Sequence, residues 1–327
     1  MRYAALATIA IVAGLLAACA STGATNPATR PAAQDHARQL ETVAQALAAT
    51  EAKHTSDLNA LDSAAPGADA EAQVEALMQG YLKARRDVLT PLAAEGNAEA
   101  MMRLAAEVRD GSSPDEITRW LALVSRAADL GHPLALDEMV RWHWHQRGDG
   151  SIAFVQASRA RALTFADRAA RAGNMYAITR IGGYVVGDVH QYPANPELGR
   201  EVTELCALTG YDICQELLAR PAPSGYGVSP VETHLWLSRL AERHPERFEA
   251  RRDLVWRELT PEQQSAARAA AAAWGPVPWP ALQDEWRDLE RRILAHGAAS
   301  IGADTPCTTP TPWCRGALAH GGAGAVR

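Results

Sequence analysis

From Ala70 to Ala94 the apolar residues Val74, Leu77, Met78, Tyr81 and Leu82 return at steps of three and four, the spacing that places them on one face of an α-helix. Ile117, Trp120, Leu121, Val124 and Ala128 repeat the pattern, and His36 to Glu51 also follows the helical period. Pro66 and Gly67, within SAAPGADA, break the chain between the helix that starts at His36 and the one that starts at Ala70. Several helix starts are written out as caps. Ser113-Pro114-Asp115-Glu116 and Ser229-Pro230-Val231-Glu232 offer a hydroxyl to the N–H three residues on, a glutamate that answers it, and a proline at the first helical position, where no N–H is needed. Thr260-Pro261-Glu262-Gln263 does the same and Asn195-Pro196-Glu197 opens alike, so helices are predicted to begin near residues 114, 196, 230 and 261.

One motif recurs between these helices. LAAEGNAEA (92–100), AADLGHPLA (127–135), AARAGNMYA (169–177) and CALTGYDIC (206–214) centre on Gly96, Gly131, Gly173 and Gly210, spaced by 35, 42 and 37 residues. Four residues after each glycine stands Ala100, Ala135, Ala177 or Cys214. Four before the last three stands Ala127, Ala169 or Cys206, with Leu92 the exception. Leu104, Met139, Ile181 and Leu218 follow four further on, each with Ala105, Val140, Gly182 or Ala219 beside it. A glycine at the C′ position takes up left-handed backbone at least cost, so each motif predicts one helix ending and another beginning. The small residues on either side let the two helices cross closely. This period with two helical segments predicts an all-α fold, a superhelical α/α solenoid of stacked helix pairs.

At 327 residues the chain can bury a sizeable core, and 47% hydrophobic against 6% aromatic makes that core aliphatic and alanine-rich. The net charge of −6, with no basic block, makes nucleic acid and anionic lipid disfavoured partners.

At the N-terminus Arg2 precedes an apolar run, Ala4 to Ala18, that is too short to span a bilayer and reads as a signal-peptide core. The run ends LAAC, Leu16 to Cys19, which resembles the bacterial lipoprotein lipobox. That resemblance implies removal of residues 1–18 and a covalent diacylglycerol and acyl lipid on Cys19. Ala20, where an aspartate would retain the protein at the inner membrane, implies the periplasmic face of the outer membrane. Residues 19–35 then form a lipidated tether, too poor in large apolar side chains to offset its chain entropy. Export implies an oxidising compartment, in which the remaining Cys206, Cys214, Cys307 and Cys314 read as disulfides. Three connectivities are open, and a four-cysteine zinc site is the alternative, although neither close pair has the short gap of a structural zinc knuckle.

The units resemble Sel1-like repeats, bacterial relatives of tetratricopeptide repeats whose units run A-x-x-x-L-G, a variable loop, and a helix ending A-A-x-x-G. Residues 133–147, 175–187 and 211–220 match first helices, and 114–130, 155–172 and 196–209 second helices. The Leu-Gly pair survives as Ile181-Gly182, and the variable period favours this family over the fixed period of about 34 residues in tetratricopeptide repeats. The resemblance covers about residues 92–220. It implies that Cys206 and Cys214, at the two small positions flanking the turn, lie within bridging distance. Cysteine-rich Sel1 proteins of bacterial envelopes carry such a staple in each repeat. Downstream, LTPEQQSAARAAAAAW resembles the closing helix of these proteins, so residues 230–296 are expected to be capping helices, the last from Pro280 to His296 after the break GPVPWP. Residues 297–327 form a Pro/Gly/Ala-rich tail in which Cys307 and Cys314 close a loop, and residues 36–91 form N-terminal helices ahead of repeats at 92–229.

Cysteine-rich Sel1 relatives also raise a β-lactam-binding or cell-wall-active enzyme as an alternative. The serine-lysine motif of such enzymes is absent, because neither Lys53 nor Lys83, the only lysines, has serine three residues before it. HExxH, GxSxG and phosphate-binding loops are absent too, so no catalytic residue, metal ligand or further cofactor is assigned. In RWHWHQRG (141–148) His143 and His145 are two apart on a helix and point about 200° apart, which prevents joint chelation. His143 falls at an inward position of the family. Arg141, Trp142, Trp144 and His145 are candidates for binding a partner on a concave face, with packing against neighbouring helices as the alternative. The expected function is therefore that of a lipid-anchored scaffold or adaptor in the bacterial envelope, binding another envelope protein or peptidoglycan.

Overall fold

A computed structural model describes residues 30–63, 70–108, 113–146, 151–187, 194–220 and 226–298. Every regular element among them is helical. In chain order these are α1 (Arg30–Ser63), α2 (Ala70–Ala94), α3 (Ala98–Val108), α4 (Pro114–Asp129), α5 (Pro133–His145), α6 (Ile152–Arg171), α7 (Tyr176–Val186), α8 (Pro196–Leu208), α9 (Asp212–Leu218), α10 (Pro230–Arg243), α11 (Pro245–Glu258), α12 (Pro261–Ala273) and α13 (Gln283–Ala298), with a 3₁₀ turn at Trp279–Leu282.

The proline-led starts fall at Pro114, Pro196, Pro230 and Pro261, and the caps are made. Ser113 accepts the Glu116 N–H at 3.2 Å while Glu116 accepts the Ser113 N–H at 3.2 Å. Ser229 with Glu232 and Thr260 with Gln263 repeat this exchange, and Asn195 accepts the Leu198 N–H at 3.0 Å. At the other end of the chain α1 is longer than the pattern suggested: it begins at Arg30 and continues past Glu51 to Ser63. Pro31 is tolerated in a first turn, and no proline or glycine interrupts the chain before Pro66. The extension is used, because His54 stacks on Tyr81 of α2 at 4.0 Å.

The chain divides into two compact units. The larger comprises the described residues of 30–205 and 279–298, the smaller those of 206–278. In the larger unit consecutive helices pack in pairs from α1 through α7, and α1 also touches α3 and α5 touches α7. Val43, Leu47, Leu89, Met101, Leu136, Leu163, Ile178 and Ile181 are buried in its core. Near Gly199 the backbones come very close: a Cβ there would stand 2.3 Å from Val186 Cγ2 and 3.0 Å from the Gly182 carbonyl. The last helix packs on α6. Asp167 of α6 accepts hydrogen bonds from Trp279 Nε1 at 2.9 Å and Gln283 Nε2 at 3.1 Å, and α13 buries Trp286, Leu289 and Ile293.

In the smaller unit α10 packs on α9, α11 and α12, burying Leu218, Leu237, Leu240, Phe248 and Ala267. Asp212 at the start of α9 receives Arg243 at 2.5 Å and His244 at 2.8 Å from the end of α10, and the Val277 N–H donates to the Leu208 carbonyl at 2.8 Å.

Candidate functional site

The recurring glycines are the corners between helices. Gly96, Gly131, Gly173 and Gly210 have φ of 96°, 82°, 88° and 89°, in the left-handed region. At Gly131 the glycine N–H donates to the Ala128 carbonyl at 2.9 Å and the following N–H, of His132, to Ala127 at 3.0 Å. This double bond pattern satisfies the last carbonyls of the helix. It repeats at Gly96 with Ala93 and Leu92, and at Gly173 with Ala170 and Ala169.

The residue after the glycine then opens the next helix. Asn97 Oδ1 accepts the Ala100 N–H at 3.0 Å, His132 Nδ1 accepts from Ala135 at 3.4 Å, and Asn174 Oδ1 accepts from Tyr176 at 3.1 Å. At the first two corners one residue thus ends one helix with its backbone and caps the next with its side chain, whereas at the third the cap position is Met175 and Asn174 accepts from the first helical N–H. The small residues on either side, Ala127 with Ala135 and Ala169 with Ala177, are all fully buried.

Cys206 and Cys214 occupy these positions at the fourth corner, also fully buried, and are joined by a disulfide with Cα atoms 5.9 Å apart. Cys19, Cys307 and Cys314 lie outside the described residues.

The candidates in the segment from Arg141 are divided by the structure. Trp144 is 1% exposed, stacks on Tyr184 of α7 at 5.2 Å and has the Arg159 guanidinium over its ring at 5.6 Å, so it is a core residue. His143 stacks on Phe165 of α6 at 5.5 Å and meets Ser158 at 3.4 Å, whereas His145 meets Tyr184 edge-on at 5.2 Å. The two histidines therefore serve different helices. Burial, with the nearby Arg161 charge, pushes the His143 imidazole down to about 4. Trp142 is half-buried against Trp120 of α4 at 5.6 Å, and Arg141 pairs with Glu138 at 3.0 Å.

The corners also present side chains that periodicity alone does not single out. Three residues after the second, third and fourth glycines stand Leu134, Tyr176 and Ile213, exposed by 39%, 42% and 40%. At the first corner the equivalent residue is Glu99, which is buried. The signal for these positions was in the motif, since the position is apolar in three of the four motifs, but a large apolar residue in the first turn of a helix is read by default as core.

Among the described residues no helix is long and apolar enough to cross a membrane. No protein-family model, curated protein or solved structure matches the chain.

Proposed function

We propose that the chain is an interaction scaffold of the bacterial envelope. In this reading its helix pairs are Sel1-like units of an α-solenoid, held to the periplasmic face of the outer membrane by lipid on Cys19. The observation that carries the interaction role is the pair of side chains at one corner position of the larger unit, Leu134 and Tyr176, exposed by 39% and 42%. Apolar side chains repeated at the unit spacing suit an extended protein partner better than a small molecule, which needs a concave pocket with converging polar groups. Arg141, Trp142 and His145 supply a second set of partly accessible contacts. Trp144 is excluded from this role by its burial.

The anchor and the docking role are tested apart. Inhibiting lipoprotein signal peptidase in cells leaves the precursor uncleaved if Cys19 is lipidated, and normal maturation refutes the anchor. For docking, crosslinking in intact envelopes followed by purification recovers a stoichiometric partner, and the Leu134→Ser/Tyr176→Ser variant loses it while keeping its helicity. Retention of the same partner by that variant removes the corner pair from the interface.

A further inference from the structure

At the second corner, three ionisable side chains from distant parts of the larger unit converge. His36 comes from α1, Glu99 from the first turn of α3, and His132 from the cap of α5. One ligand atom of each lies within 4.8 Å of those of the other two. His132 Nε2 is 3.0 Å from Glu99 Oε2, and the His36 ring stands edge-on to the His132 ring with centroids 4.7 Å apart. The His132 and Glu99 side chains are buried.

Each of the three is held from behind. Gln39, one turn after His36, accepts the Ala98 N–H at 3.0 Å and so ties α1 to the start of α3. Arg103 Nε donates to Glu99 Oε1 at 2.8 Å, which leaves Oε2 as the oxygen that faces the histidines. The cap bond from Ala135 to Nδ1 fixes the His132 ring with Nε2 turned to Glu99. Such outer contacts orient metal ligands in known sites.

A purely structural role accounts for Glu99 and His132, as a carboxylate accepting an imidazole proton. It does not account for His36, whose ring makes no hydrogen bond among the described residues yet adds a third donor to the cluster. We propose that His36, Glu99 and His132 bind one divalent first-row transition metal ion. Two imidazoles and one carboxylate form a donor set suited to zinc, with a further coordination position left for water. Coordination through His132 Nε2 requires the neutral ring to carry its proton on Nδ1. The proton changes nitrogen and none is released, while the long cap bond from Ala135 is given up. The metal therefore trades one helix cap for three coordinate bonds, with the Arg103 charge working against it.

The test is calorimetric titration of the chelator-treated full chain with zinc chloride, alongside nitrogen-resolved histidine spectra. One equivalent is expected to bind, His132 is expected to change from the Nε2–H to the Nδ1–H form, and the His36 resonances should move. His36→Ala, on a half-buried position of α1, should weaken binding by roughly a hundredfold or more with unchanged circular dichroism, beyond the 10–100-fold seen when only an outer contact is lost. Glu99→Gln keeps a hydrogen-bonding side chain opposite His132 and should weaken binding similarly. Absence of saturable binding overturns the assignment, and equal affinity in wild type and His36→Ala overturns it in favour of histidines elsewhere.

Discussion

Asp137 of α5 and Arg180 of α7 form a two-point ion pair, Nε to Oδ1 at 2.9 Å and Nη2 to Oδ2 at 2.7 Å, across 43 residues of sequence. Asp137 is buried, and the Arg180 guanidinium also lies over the Tyr176 ring at 4.8 Å. Burial alone would depress the guanidinium, but the bonds to Asp137 outweigh it and raise its basicity above the ordinary arginine value. The pair clamps α5 to α7, which also touch directly.

Removing one partner should therefore cost far more than an exposed pair would. Asp137→Ala is expected to destabilise by about 3 kcal/mol, because Arg180 keeps a mostly desolvated charge. Asp137→Leu combined with Arg180→Met should recover most of the loss. Urea unfolding of the three variants measures both.

Glycine is required at two kinds of place for different reasons. Gly131→Ala meets no atom within 4 Å, so its cost is the left-handed backbone alone, about 1–2 kcal/mol. Gly199→Ala should cost more, since its Cβ meets both Val186 and the backbone of α7. Adding Val186→Ala should give back only part, because the Gly182 carbonyl at 3.0 Å remains. Equal thermal shifts for the two single variants would contradict this.

The disulfide should stabilise without being required. Cys206→Ala/Cys214→Ala restores the alanines found at the second and third corners and leaves a packed turn. The loss expected from opening a loop of this length is about 2–3 kcal/mol. Denaturation with and without reductant should show the wild type falling to the level of the variant.

His143 sets part of the acid limit. Its folded value of about 4 lies below the ordinary 6.5, so below 6.5 the unfolded chain binds the proton more readily. The stability it contributes is present above pH 6.5 and is lost as the pH falls towards 4. His143→Phe, which keeps a ring on Phe165, should flatten the stability curve in that window.

The corners could be read from sequence because everything that makes them is local. A left-handed glycine, two small residues and a capping side chain lie within nine positions, and only one backbone conformation satisfies them together. The proline-led starts are legible for the same reason. What escaped is held by distance. Asp137 and Arg180 look in sequence like two solvated charges, and Asp167 with Trp279 are 112 residues apart. Trp144 was one of two tryptophans in alternate positions, and which one turns inward depends on Tyr184 of a later helix. His132 resembles no cap when asparagine holds that place at Gly96 and Gly173, and its link to Glu99 and His36 joins three segments that no period relates.

Because Asn97 and His132 each belong to two helices at once, their corners have no slack. An inserted residue there would separate the donor that closes one helix from the acceptor that opens the next.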